Sequence, residues 1–87
     1  MNGHEDTSLT LAVAAVVNEY KNAALKFPPF RSPHEGYAII LEELDELKAE
    51  VFKQHDARTN EKLRAEAKQV AAMALRFMID LTNPIPK

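Results

Sequence analysis

Val70-Ala71-Ala72-Met73-Ala74-Leu75-Arg76-Phe77-Met78-Ile79 carries a single charge, that of Arg76, in ten consecutive residues. Around it, Leu63, Ala67, Val70, Ala74, Phe77 and Leu81 recur at helical spacing, and Ala71, Leu75 and Met78 add a second apolar stripe. The spacing predicts a helix over 60–81 that is apolar on most of its circumference. Such a helix must be covered on most sides. An 87-residue chain has room for only two more helices of this length, so the pattern predicts self-association as well as a bundle.

Upstream, Ser32-Pro33-His34-Glu35 is a helix start: Ser32 caps, Pro33 takes the first helical position and Glu35 completes a capping box. The helix it opens is expected over 33–54, with Tyr37, Ile40, Leu41, Leu44, Leu47 and Val51 on one stripe and Glu43, Glu46 and Glu50 on its flank. A polar loop from His55 to Asn60 follows, with Thr59 as the next cap. A first helix is expected over 7–27, capped by Thr7 or Ser8, with Leu9, Val13, Val16, Tyr20, Ala24 and Phe27 in register. Ala12, Ala14 and Ala15 let a neighbouring helix come close. Pro28 and Pro29 stop the helix, since proline lacks the amide donor and clashes with the preceding turn. Residues 1–6 read as a flexible tail, and Asn83 to Lys87, with two prolines, ends the chain. No strand alternation, repeat or low-complexity segment is present. The expected fold is all-α: a single domain, 1–87, of three antiparallel helices completed by homo-oligomerisation, as a dimer or tetramer.

Composition narrows the function. A net charge of −2 offers no basic field for DNA or RNA. The absence of cysteine excludes disulfides and thiolate metal sites. The longest apolar run, Leu9 to Val17, is too short to span a bilayer and follows Glu5 and Asp6 rather than a basic flank. A cytoplasmic protein is the expectation.

Glu42-Glu43-Leu44-Asp45-Glu46 is the chemical centre of the second helix. Glu43 and Glu46 share a face, and Glu42–Glu46 and Glu46–Glu50 are like-charge pairs at i,i+4. No Lys or Arg lies three or four residues from Glu43 or Glu46. Carboxylate oxygens in that arrangement suit Mg²⁺ or Mn²⁺. The third helix presents Glu66 and Gln69, again three apart, and antiparallel packing brings them opposite Glu43 and Glu46. The bland alternative is a solvated acidic face.

These two segments resemble the MazG-like all-α nucleoside triphosphate pyrophosphohydrolases. That family carries Glu-Glu-x-x-Glu on one helix and Glu-x-x-Asp on the next. Glu42-Glu43-Leu44-Asp45-Glu46 matches the first motif in full, and Glu66-Ala67-Lys68-Gln69 matches the second at Glu66, with Gln69 in place of Asp. The similarity spans about 32–81 and includes Ser32-Pro33-His34-Glu35-Gly36-Tyr37 and the segment from Gln69 to Phe77.

The resemblance implies cleavage between the α and β phosphates, giving a monophosphate and pyrophosphate, with a role in nucleotide-pool cleansing. It implies Glu43, Glu46, Glu66 and Gln69 as ligands of Mg²⁺, and Glu42 as the group acting on the attacking water or as an outer support. The uncharged Gln69 weakens the metal site, leaves Glu50 or Asp80 to substitute, or marks a nucleotide-binding module that has lost turnover. Arg76, Lys68 and Lys53 are the cations to set against phosphates, although each is also a plain surface residue by default, and Arg76 has Asp80 at i,i+4 as an alternative partner. Phe27, Phe30 and Tyr37 are stacking partners for a base or else a small core cluster; Tyr20 and Asn18 are further pocket residues. His4, His34 and His55 have no metal-site spacing.

Overall fold

A computed structural model describes residues 3–54 and 59–82; side chains are described from residue 6. The chain is helical through most of this range, with α1 at Gly3–Lys26, α2 at Pro33–Val51 and α3 at Asn60–Thr82. Helix α1 begins ahead of the expected residue 7, inside the stretch read as a tail. Helix α2 stops short of residue 54: the Phe52 amide donates to Lys48 O and closes the last turn. Residues 55–58, most of the expected loop, and the 83–87 terminus lie outside the described residues. No described helix is long and apolar enough to cross a membrane.

The start of α2 departs from a standard capping box. Ser32 Oγ accepts from the Glu35 amide at 3.1 Å, as the sequence predicts. Glu35, however, does not return to the Ser32 amide. Its carboxylate takes the Arg31 amide at 3.0 Å and the Arg31 guanidinium at 2.7 Å, so the reciprocal half of the box reaches one residue further back. Thr59 Oγ1 caps α3 by accepting from the Lys62 amide.

Helix α3 is the shared element. It packs on both α1 and α2, whereas no Cα of α1 comes within 8 Å of α2. The three helices form an open layer with α3 in the middle. Gly36 is the reason α2 approaches so closely: a Cβ there would lie 2.6 Å from the Phe77 ring and 3.2 Å from Leu81. On the other side, Ala12 and Ala15 of α1 and Ala67 and Ala71 of α3 line a small open groove.

The helices are rotated relative to the stripes expected from the sequence. On α2, Ile40 and Leu47 are half-buried, but Tyr37, Leu41, Leu44 and Val51 are exposed. The face turned to α3 includes Gly36, Glu43, Leu47 and Glu50 instead. On α1, Leu9 and Val13 are exposed, and Ala23 is the buried residue. The buried apolar core among the described residues is small: Ala23, Phe30, Ala72 and Met73, flanked by Val16, Ile39, Ile40, Phe77 and Leu81. It sits at the junction of α1, the 27–31 connection and α3, with Ile39 and Ile40 of α2 packed against it.

Candidate metal centre and adjoining cavity

The expected carboxylates converge. Glu43 and Glu46 from α2 and Glu66 from α3 each offer an oxygen, and the three lie within 4.8 Å of one another. Octahedral coordination at the 2.0–2.1 Å typical of Mg²⁺ separates adjacent ligand oxygens by roughly 3 Å and opposite ones by roughly 4 Å, within the span of this trio.

Glu66 Oε2 is buried and has no hydrogen-bond partner among the described residues. A buried carboxylate oxygen without a partner is destabilising by about 1–3 kcal/mol or more, and a divalent cation would relieve it. Crowding also shifts protonation. Partial burial, then the charge of Glu46, a hydrogen bond to it, and the charges of Glu66 and Glu42 push Glu43 up to about 7. Near neutral pH without metal, Glu43 is therefore partly protonated and donates to Glu46. The donor set is all oxygen, which fits a hard divalent cation such as Mg²⁺ or Mn²⁺.

One member of this trio, Glu43, also lines a cavity of about 520 Å³. Its lining includes the polar Glu42, Glu43 and Gln69 and the apolar Phe27, Pro28, Phe30, Ile39 and Met73. Gln69, at the position where the second motif would carry Asp, thus lines the same cavity as Glu43. Glu42 is exposed and faces the same space.

The three cations singled out from the sequence are already engaged. Arg76 is buried, not a surface residue. Its Nη2 donates to Pro28 O at 2.7 Å, its guanidinium lies 4.3 Å from the Phe30 ring centroid, and Nε is 3.8 Å from Asp80. Lys68 pairs at 3.8 Å with Glu19, a cavity-lining residue, and Lys53 pairs with Glu50 at 2.8 Å, away from the lining. Of the two reserve carboxylates, Asp80 accepts from the Phe30 amide and Arg76, while Glu50 is buried with Oε1 unpartnered among the described residues and is not one of the converging trio. Phe27 and Phe30 reach the cavity; Tyr37, Tyr20 and Asn18 are not among its lining residues.

Helix α1 contributes Glu19, Asn22, Ala23 and Lys26 to the cavity, of which none was singled out from the sequence. Their spacing of i, i+3, i+4, i+7 is a helical stripe, but a mostly polar one, hidden by the apolar stripe beside it.

No known protein family, curated protein or solved structure matches this chain.

Proposed function

We propose that this chain is a Mg²⁺-dependent nucleoside triphosphate pyrophosphohydrolase of the MazG-like kind, releasing a nucleoside monophosphate and pyrophosphate and serving to cleanse the nucleotide pool. The observation that carries the proposal is the convergence of Glu43, Glu46 and Glu66, of which Glu43 also lines a cavity that includes Phe27 and Phe30. A triphosphate is a polyanion, and carboxylates face it only across divalent cations. When bound, the metal supplies charge neutralisation and a water of lowered pKa. Glu43, Glu46 and Glu66 hold it, with the Gln69 amide oxygen beside them. Glu42 orients the attacking water and takes its proton as oxygen bonds to the α-phosphorus and the Pα–O–Pβ bridge breaks. Phe27 and Phe30 offer apolar surface to the nucleoside.

The test is pyrophosphate release from a panel of canonical and modified nucleotides with Mg²⁺ or Mn²⁺. Release abolished by Glu46→Gln supports the proposal; no release and no metal-dependent binding of any nucleotide overturns it. Gln69 favours a second reading, a module that binds nucleotide and metal with little or no turnover. Binding without release selects it.

We also propose that the protein works as a homo-oligomer, dimer or tetramer. Tyr37, Leu41 and Leu44 on α2 and Met78 on α3 are exposed, alongside Leu9 and Val13 on α1. So much exposed apolar surface on so small a core invites association. A stable monomer at micromolar concentration in sedimentation equilibrium would sink this.

A further inference from the structure

We propose that Lys26 is the side chain that grips the phosphate chain of the nucleotide, an assignment that rests on the hydrolase proposal above. A triphosphate held at three carboxylates through divalent metal still needs a protein cation to offset its remaining charge. The structure removes the obvious candidates. Arg76 is engaged by Pro28 O, Phe30 and Asp80, Lys68 by Glu19, and Lys53 by Glu50. Arg31, at the start of α2, is bound to Glu35.

Among the described residues, two cations line the cavity, Arg76 and Lys26. Lys26 is exposed, sits in the last turn of α1 and makes no hydrogen bond or ion pair with any described residue. Helices α1 and α2 flank α3, and Lys26 of α1 shares the cavity lining with Glu42 and Glu43 of α2. Lysine has the chemistry for a phosphate chain. Its compact ammonium carries three donors on a flexible four-carbon stem and can follow a phosphate without a fixed fork geometry. Asn22, one turn earlier on the same stripe, adds an uncharged donor and acceptor to that wall. The competing role is structural, a cation complementing the carbonyl end of α1. That role predicts a change in melting and none in ligand affinity.

The test uses the full chain in Mg²⁺ and titrates it with tripolyphosphate and the α,β-methylene analogues of ATP, GTP, CTP and UTP. Lys26→Ala and Lys26→Gln should weaken the bound analogues by about tenfold or more, as expected for loss of a charge-assisted hydrogen bond. Lys26→Arg should retain most of the affinity, and Lys53→Ala should change it little. Mn²⁺ affinity measured without nucleotide should be the same in all of them, because Lys26 is not a ligand. A parent chain that binds triphosphates no more tightly than the folded Lys26→Ala and Lys26→Gln variants overturns the assignment alone. A parent chain that binds metal but no triphosphate overturns the hydrolase proposal and the assignment together.

Discussion

The Arg76 guanidinium lies over the Phe30 ring, 4.3 Å from its centroid, and joins α3 to the connection between α1 and α2. The same guanidinium donates to Pro28 O, and its neighbour Asp80 receives the Phe30 amide at 3.0 Å. One buried ion pair therefore fixes both ends of the Pro28–Phe30 turn.

Arg76→Ala should lower stability by about 3 kcal/mol or more, since it leaves the mostly buried Asp80 carboxylate without its cation. Arg76→Lys should recover part of this. It keeps the charge but loses the planar stack on Phe30. Urea unfolding of the metal-free protein reads both. A loss within about 0.5 kcal/mol, the roughly neutral range for surface substitutions, would mean Arg76 is not buried in solution.

Stability should depend on pH through Glu43. Its folded value, about 7, lies above the ordinary 4.5. The folded state thus binds the proton more tightly than the unfolded chain. The stability this adds is fully present below 4.5 and is lost as pH rises towards 7. Metal-free melting should fall across that window, and Glu43→Gln, which does not titrate, should flatten the fall and melt higher than the parent at about pH 8. Glu35, held below its usual range by the Arg31 hydrogen bonds, works the other way and only in more acidic solution. A parent profile that is flat from pH 4.5 to 7 would show that Glu43 is not crowded by its neighbours.

Gln69→Asp should have effects of opposite sign with and without Mg²⁺. Without metal it adds a fourth carboxylate beside Glu43 and should lower the melting temperature. With metal it adds a charged ligand and should raise both Mg²⁺ affinity and melting, because binding to the folded state stabilises it by mass action. The shorter Asp side chain limits the gain. Equal shifts in the two conditions would place Gln69 away from any metal.

Gly36→Val should destabilise by about 1–3 kcal/mol, the usual range for overpacking. Its Cβ would fall 2.6 Å from Phe77, and the added methyls have no free space on that side. Gly36→Ala should be milder, as its better helix propensity offsets about 1 kcal/mol of the clash. Thermal melting of the two variants decides it; a Val variant as stable as the parent would mean α2 and α3 are further apart.

The sequence disclosed the helices because their signals are local: Ser32-Pro33 at one boundary, Pro28-Pro29 at another, and apolar spacing between. It disclosed Glu43, Glu46 and Glu66 because two short motifs on antiparallel helices are brought opposite each other by packing alone. The Arg76–Asp80 pair was legible from its i,i+4 spacing, but the burial of Arg76 against Pro28 and Phe30 was not. Its partners Pro28 and Phe30 are distant in the chain, Pro28 by 48 residues, and nothing near position 76 signals that an isolated charge will be buried under an aromatic ring. Helix rotation was hidden for a related reason. Tyr37, Leu41 and Leu44 form the stronger apolar stripe, yet Gly36 allows the closer approach, and contact distance decided which face turned towards α3.

Helices α1 and α2 never meet, and this separates two kinds of evolutionary change. The carboxylate trio belongs wholly to α2 and α3, whereas Asn22, Lys26 and Phe27 sit on or just after α1. Replacing residues along that stripe of α1 leaves the α2–α3 crossing untouched, so one wall of the cavity can change while the carboxylate trio keeps its geometry. Substitutions on α1 would thus reshape the cavity from one side only.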